Sequence, residues 1–267
     1  MHNIFDIKRF GKWLVSDLKS CTASYGISFI VISLMGLIIY AGTTIMGEIV
    51  KGTWDGPGIG FRFAVFITSL AVLLITQPAK CYGHITDKRS GSAWLLVPVS
   101  HFEKFLSMTI VSAIIIPAAY ITLYLGIDAI LCSIDSTCGE SLVAFATAIP
   151  AKMTDVPDEV VNAISPLTNP FLYIDDIIGT SLLFLLGAVF FKKNKIVMTI
   201  LCTMAISLVA GSITAPLILN GFMEDPEGFM STFTQSGSLT ISDTINDMSI
   251  VIFALTAIFF RIKTLKH

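Results

Sequence analysis

ISFIVISLMGLIIYAGTTIM, residues Ile27–Met46, carries no charged side chain over its whole length. As a helix rising 1.5 Å per residue it covers about 30 Å, the thickness of a bilayer's hydrocarbon core. Lipid offers no water to unpaired backbone groups, so a run of this kind must satisfy them internally as a helix. The run is too long for the apolar region of a cleaved signal and follows a charged leader of 26 residues. It is therefore read as a membrane span.

The rest of the chain repeats the pattern. Of 267 residues, 54% are hydrophobic and 13% charged, with a mean hydropathy of +0.80. Soluble domains carry about a quarter charged residues, so this composition cannot furnish a water-facing surface. Further apolar runs cover Phe63–Ala79, Phe105–Ile127, Ile177–Phe191, Ile196–Asn220 and Met248–Phe260. These predict one all-α transmembrane domain over 1–267. It has a leader at 1–26 and six spans at about 27–46, 62–79, 105–127, 174–191, 196–220 and 243–260. Pro117 falls inside the third span, where neighbouring helices must satisfy the carbonyl it frees. The fourth span reaches full length only with Asp175 and Asp176 in the headgroup layer, and Asp243 and Asp247 fall toward the outer end of the sixth.

Charge placement gives the expected orientation. Fourteen of the 17 basic residues lie in the leader, the 80–104 loop, the 192–195 turn and the tail, leaving Lys51, Arg62 and Lys152 elsewhere. The positive-inside rule puts those four segments, and both chain ends, in the cytoplasm. This alternation holds only if the short fourth and sixth spans cross. Acidic residues cluster in the opposite loops, Glu140 to Glu159 and Glu224 to Glu227. Asp128 falls at the outer end of span three, where solvation is the simpler expectation.

The leader, Ile4–Lys19, mixes Phe5, Phe10, Trp13, Leu14 and Leu18 with Lys8, Arg9, Lys12 and Lys19, which predicts an amphipathic helix lying in the cytoplasmic interface. The long 133–176 loop has room for a short helix over Val156–Ile164. The 221–246 loop, with Phe222, Phe229 and Phe233, reads either as a segment dipping into the outer interface or as an ordinary surface loop. Cys132 and Cys138 either pair across a small outer loop or stand as two free thiols. Cys21 and Cys81 fall on the reducing side. Cys81 and His84 form an isolated C-x-x-H, short of a zinc site. None of the four histidines is in a span, and there is neither H-E-x-x-H nor G-x-x-x-x-G-K-[ST]. The chain is expected to be no enzyme, to hold no metal or cofactor, and not to hydrolyse ATP by itself.

The most informative loop segment runs from Asp87 to Phe105, DKRSGSAWLLVPVSHFEKF. A charged turn leads into a short apolar helix, Pro98 breaks it, and Ser100 with Glu103 three residues on forms a capping box that starts span three. A short apolar cytoplasmic helix must be covered by membrane, by other helices or by a partner. Asp87-Lys88-x-x-Gly91, Leu95-Leu96-x-Pro98-x-Ser100 and Lys104, together with the turn Phe191-Lys192-Lys193-Asn194, resemble the membrane subunits of type-2 (ABC-2) ATP-binding-cassette exporters, in a short bacterial permease-like form. Val97 stands where that family more often has Leu, and the long 133–176 loop departs from its compact members.

The resemblance implies a permease subunit of a bacterial plasma membrane exporter. Its 84–104 loop would dock on a separate ATPase through Trp94, Leu95, Leu96, Pro98, Ser100 and Glu103. Two copies, or this chain with a related one, would form the path. No nucleic acid partner is expected. The alternative is a non-transporting multi-pass protein, such as a scaffold, immunity or sensor subunit, in which residues 87–104 only cap span three at the membrane surface. A secondary transporter is a weaker expectation, since the spans offer few midplane polar groups.

Overall fold

The computed structural model describes residues 5–52, 56–87, 90–91, 94, 96–144, 170–224 and 238–264. The expected helix over Val156–Ile164, Leu95, and residues 225–237 of the 221–246 loop lie outside the described residues. Every described element is helical, with no strand among them.

Asp6 starts the first helix, its carboxylate accepting the amides of Lys8 and Arg9 at 2.9 and 3.5 Å. Helix α1, Ile7–Ser33, passes into α2, Met35–Lys51, through Leu34 alone. The amide of Leu34 still reaches the Ile30 carbonyl at 2.9 Å, and the amide of Ile38 reaches that of Leu34 at 3.0 Å. Leader and first apolar run are thus one rod of 44 residues, Ile7–Val50. This corrects the expectation of a separate in-plane leader helix. No proline or left-handed residue stops the helix between Ile7 and Ser33, and the apolar stripe of Trp13, Leu14 and Leu18 packs on other helices.

Helix α3, Ile59–Tyr82, runs antiparallel to α1: Cys21 bonds Cys81 across a Cα separation of 4.8 Å, and Tyr25 meets Thr76 at 2.7 Å. The third long element runs parallel to α1–α2. It comprises α4, His101–Ile110, a π-helical stretch Val111–Ile115, and α5, Ile116–Ile134. The π stretch is how Pro117 is accommodated. In π register the amide of Ile116 bonds the Val111 carbonyl, and the next carbonyl, Ser112, loses its partner because Pro117 has no N–H. The Ser181 hydroxyl, on α6, donates to that carbonyl at 3.2 Å.

Helices α6, Pro170–Phe190, and α7, Lys195–Glu224, form a hairpin turned through Asn194 at φ 46°. The two approach so closely that any side chain on Gly187 would overlap Thr199. Helix α8, Ser238–Thr264, lies along α6, and its Arg261 sits 5.4 Å over the Phe190 ring. The fourth apolar run, marginal by length in the sequence, is the central helix of the bundle. α6 touches α3, α7, α8 and the π stretch, and Ser181, Leu182, Leu185, Ala188 and Val189 on it are buried. A helix apolar on all sides belongs in such a place.

Three helices are long and apolar enough to cross a membrane among the described residues: Ile7–Val50, Ile59–Thr86 and His101–Ile134. Shorter apolar helices cover Asp176–Phe190 and Lys195–Val209. The protein is an all-α, multi-pass membrane protein.

At the bundle end away from the leader, Arg62 holds the start of α3 to the end of α5. Its guanidinium lies 2.7 Å from the Asp128 carboxylate and donates to the carbonyls of Cys138 and Glu140 at 3.1 and 2.6 Å. Asp128 also accepts the amide of Leu142 at 2.7 Å. Both side chains are buried, so the expectation that Asp128 is solvated is corrected: its charge is met by a cation instead. Cys132 bonds Cys138 within this cluster, Cα atoms 5.0 Å apart, and the Tyr40 hydroxyl donates to Asp135 at 2.7 Å. Removing one partner of a buried pair strands the other charge, at about 3–5 kcal/mol. Asp128→Leu should therefore lower the thermal unfolding midpoint in detergent sharply. Asp128→Leu combined with Arg62→Leu should recover part of the loss. A midpoint unchanged by the single substitution would contradict the pairing.

Candidate functional site

The end of the bundle that carries the leader holds a cluster of polar contacts around Glu103. Ser100 caps α4: its hydroxyl accepts the Glu103 amide at 3.2 Å, and the Glu103 carboxylate accepts the Ser100 amide at 3.0 Å. The capping box expected from the spacing is present. Its carboxylate does more than cap. Glu103 also accepts the Asp6 amide at 3.0 Å and two nitrogens of Arg9 at 2.9 and 2.8 Å, a bidentate pair. Phe5 stands edge-on to Phe102 at 6.1 Å, and Phe105 edge-on to Phe259 of α8 at 5.6 Å. The start of α4 is thereby fixed to both α1 and α8. The Arg9 guanidinium holds the Glu103 carboxyl well below the usual carboxylate range, to about 2, against the opposing pull of burial.

Two further anchors lie beside it. Asp17 on α1 is buried and accepts the Ser107 hydroxyl at 2.6 Å and the Tyr82 hydroxyl at 3.1 Å. Burial pushes the Asp17 carboxyl up, and those two hydroxyls, with His84 behind them, restrain the rise. Lys104 is buried too, donating to the Trp94 carbonyl at 2.8 Å with its ammonium 4.7 Å over the Trp94 ring. Burial draws the Lys104 ammonium down from its ordinary value. On the other side, Lys195 at the start of α7 donates to the Gly83 carbonyl of the short turn Gly83–Thr86, 4.0 Å from Asp87.

The sequence-predicted docking set divides accordingly. Trp94 and Glu103 are buried and engaged inside the molecule, with Lys104 and Arg9 respectively. Ser100 is occupied as a cap. Leu96 is 84% exposed and Pro98 is exposed. The segment therefore presents an apolar tip, Leu96 and Pro98, on a base clamped by Trp94 and Lys104. The partners Arg9 and Asp17 were missed because the leader was read as lying in the membrane plane, and nothing in the spacing of residues 9 and 103 signals the pair. Cys21 and Cys81, expected on the reducing side, are joined. Among the described residues no cluster of His, Cys, Asp and Glu could hold a metal ion.

No protein-family model, no curated protein and no solved structure matches the chain.

Two consequences can be measured. Ser100→Ala should cost about 1 kcal/mol, the usual loss of an N-cap hydroxyl, read as a lower unfolding midpoint. For Glu103 the sign follows from its depressed pKa. The contact with Arg9 stabilises the fold fully above the ordinary carboxylate range and is lost as pH falls toward 2. The stability gap between wild type and Glu103→Gln should be full at neutral pH and close on acidification. A gap that persists unchanged at low pH would contradict the ion pair.

Proposed function

We propose that the protein is the membrane-spanning permease subunit of an ABC-type exporter in a bacterial plasma membrane, driven by a separate ATPase. In this proposal the chain crosses six times, at α1–α2, α3, α4–α5, α6, α7 and α8. The leader, the 83–104 segment, the α6–α7 turn and the tail all face the cytoplasm, as the basic residues favour. The observation that carries the proposal is the exposed Leu96–Pro98 tip on a clamped base. An apolar side chain held out at the basic end of a membrane bundle gains by being covered. A rigid base passes a push on the tip to the start of the third span through Lys104. From there the push passes through Glu103 to α1.

Nucleotide-driven movement of the ATPase would then tilt α1 and the third span together, opening the bundle alternately to the two sides. A second copy, or a related chain, would complete the path.

Leu96→Asp should break association with a co-expressed ATP-binding subunit, with co-purification falling more than tenfold, while the unfolding midpoint stays that of wild type. Trp94→Ala should instead lower the midpoint, because it empties the clamp under Lys104. Unchanged co-purification and ATP-dependent flux with Leu96→Asp would remove the tip as the coupling element, and the lack of both in the wild type would overturn the proposal and leave a non-transporting membrane protein with the same fold.

A further inference from the structure

We infer that the leader half of α1 forms a binding site for an anionic phospholipid. The acyl chain would occupy a groove beside the π stretch, with the headgroup on Lys12 and Lys19. The inference needs the helices to be in a membrane but does not depend on the permease proposal.

The groove measures about 230 Å³ and lies between α1 and the start of α5, walled by Leu18, Thr22, Tyr25 and Phe29 on one side and Ile115 and Ala119 on the other. Gly26 lies in its wall, and a Cβ built there meets nothing within 4 Å. Apolar walls left facing a void lose contact energy, and in a bilayer the chain at hand to fill it is an acyl chain. A second apolar groove, between α2 and α3 near Met35 and Phe61, has no charge at its mouth and carries no such inference.

Lys12, Lys19, Thr22 and Gly26 follow one another at spacings of seven, three and four residues, which places them on one stripe of α1. That stripe runs straight into the groove. Lys12 and Lys19 are exposed, and no ion pair engages either among the described residues. The one acidic residue of this stretch of α1, Asp17, is turned inward to Ser107 and Tyr82. Lys19 lies one turn below Thr22, about 12 Å of helix rise before the firmly apolar run begins at Ile27. From there its four-carbon stem reaches the headgroup layer, which is about 5–7 Å thick on each side. Cation, boundary and groove thus stand in the order phosphate, glycerol and acyl chain would require, and Lys12, about 10 Å farther along the stripe, adds a second charge that draws anionic lipid to this end.

The full-length protein in detergent would be titrated with phosphatidylglycerol and, separately, phosphatidylcholine. Bound lipid would be counted by native mass spectrometry and the unfolding midpoint followed in parallel. Phosphatidylglycerol should bind more tightly and raise the midpoint further. Lys12→Gln and Lys19→Gln should each weaken it about fivefold, and together they should erase the preference over phosphatidylcholine. Gly26→Trp, built into open space, should lower occupancy by both lipids without lowering the lipid-free midpoint. Equal binding of the two lipids by wild type, or undiminished preference in the double Lys variant, would overturn the inference. The two Lys variants keep the test decisive even if Gly26→Trp fails to fold, because both positions are exposed.

Discussion

The Glu103 carboxylate accepts from the Ser100 amide, the Asp6 amide and the Arg9 guanidinium at once. Each of these bonds serves a different level of the structure. The first starts a helix, the second holds the beginning of the chain, and the third joins two long elements that would otherwise diverge at this end. Because the side chain is buried, the charge is not spread into water, and the contacts are stronger than the same groups would make on a surface. The placement of α4, the orientation of the Trp94–Lys104 clamp and the exposure of Leu96 all follow from where this carboxylate holds the start of the third long element.

Within the apolar part of the bundle the same logic is applied by neutral groups. Gln77 on α3 accepts the Ser112 hydroxyl at 2.9 Å, and Ser112 in turn offers its carbonyl to Ser181. Ser69 and Tyr120 meet at 2.5 Å. In lipid, apolar surface alone does not drive helices together, and interhelical hydrogen bonds and close approach supply specificity. The π stretch creates an unpaired carbonyl, and the central helix α6 is the one that answers it. The proline that interrupts the third helix is therefore also a reason for α6 to sit against it.

Some of this could be read before the coordinates. Apolar runs and basic clusters carry information residue by residue, so the positions of α3, α4–α5 and α7 were visible in the sequence, as was the Ser100–Glu103 box, whose partners are three residues apart. The continuous helix from leader to first span was not visible. An amphipathic stripe looks the same whether it faces a membrane surface or another helix. Nor were the long-range pairs. Arg9 with Glu103 and Arg62 with Asp128 depend on which helices are neighbours, and hydropathy is silent on that. Trp94 enters the docking set through the resemblance to exporter subunits, which does not specify which way its ring faces. The buried Lys104 turns the ring inward.

The rod formed by α1 and α2 has a mechanical implication. Forty-four residues of helix extend about 66 Å, considerably more than the bilayer they cross. One end is gripped by Glu103, and Tyr40, ten residues short of the other end, is held by Asp135. A beam held at these two points and interrupted only at Leu34 cannot change its tilt at one surface without moving the other. A rotation of roughly 5° about its middle displaces each tip by about 3 Å, comparable to a hydrogen-bond length. The geometry thus makes the two faces of the membrane parts of a single lever.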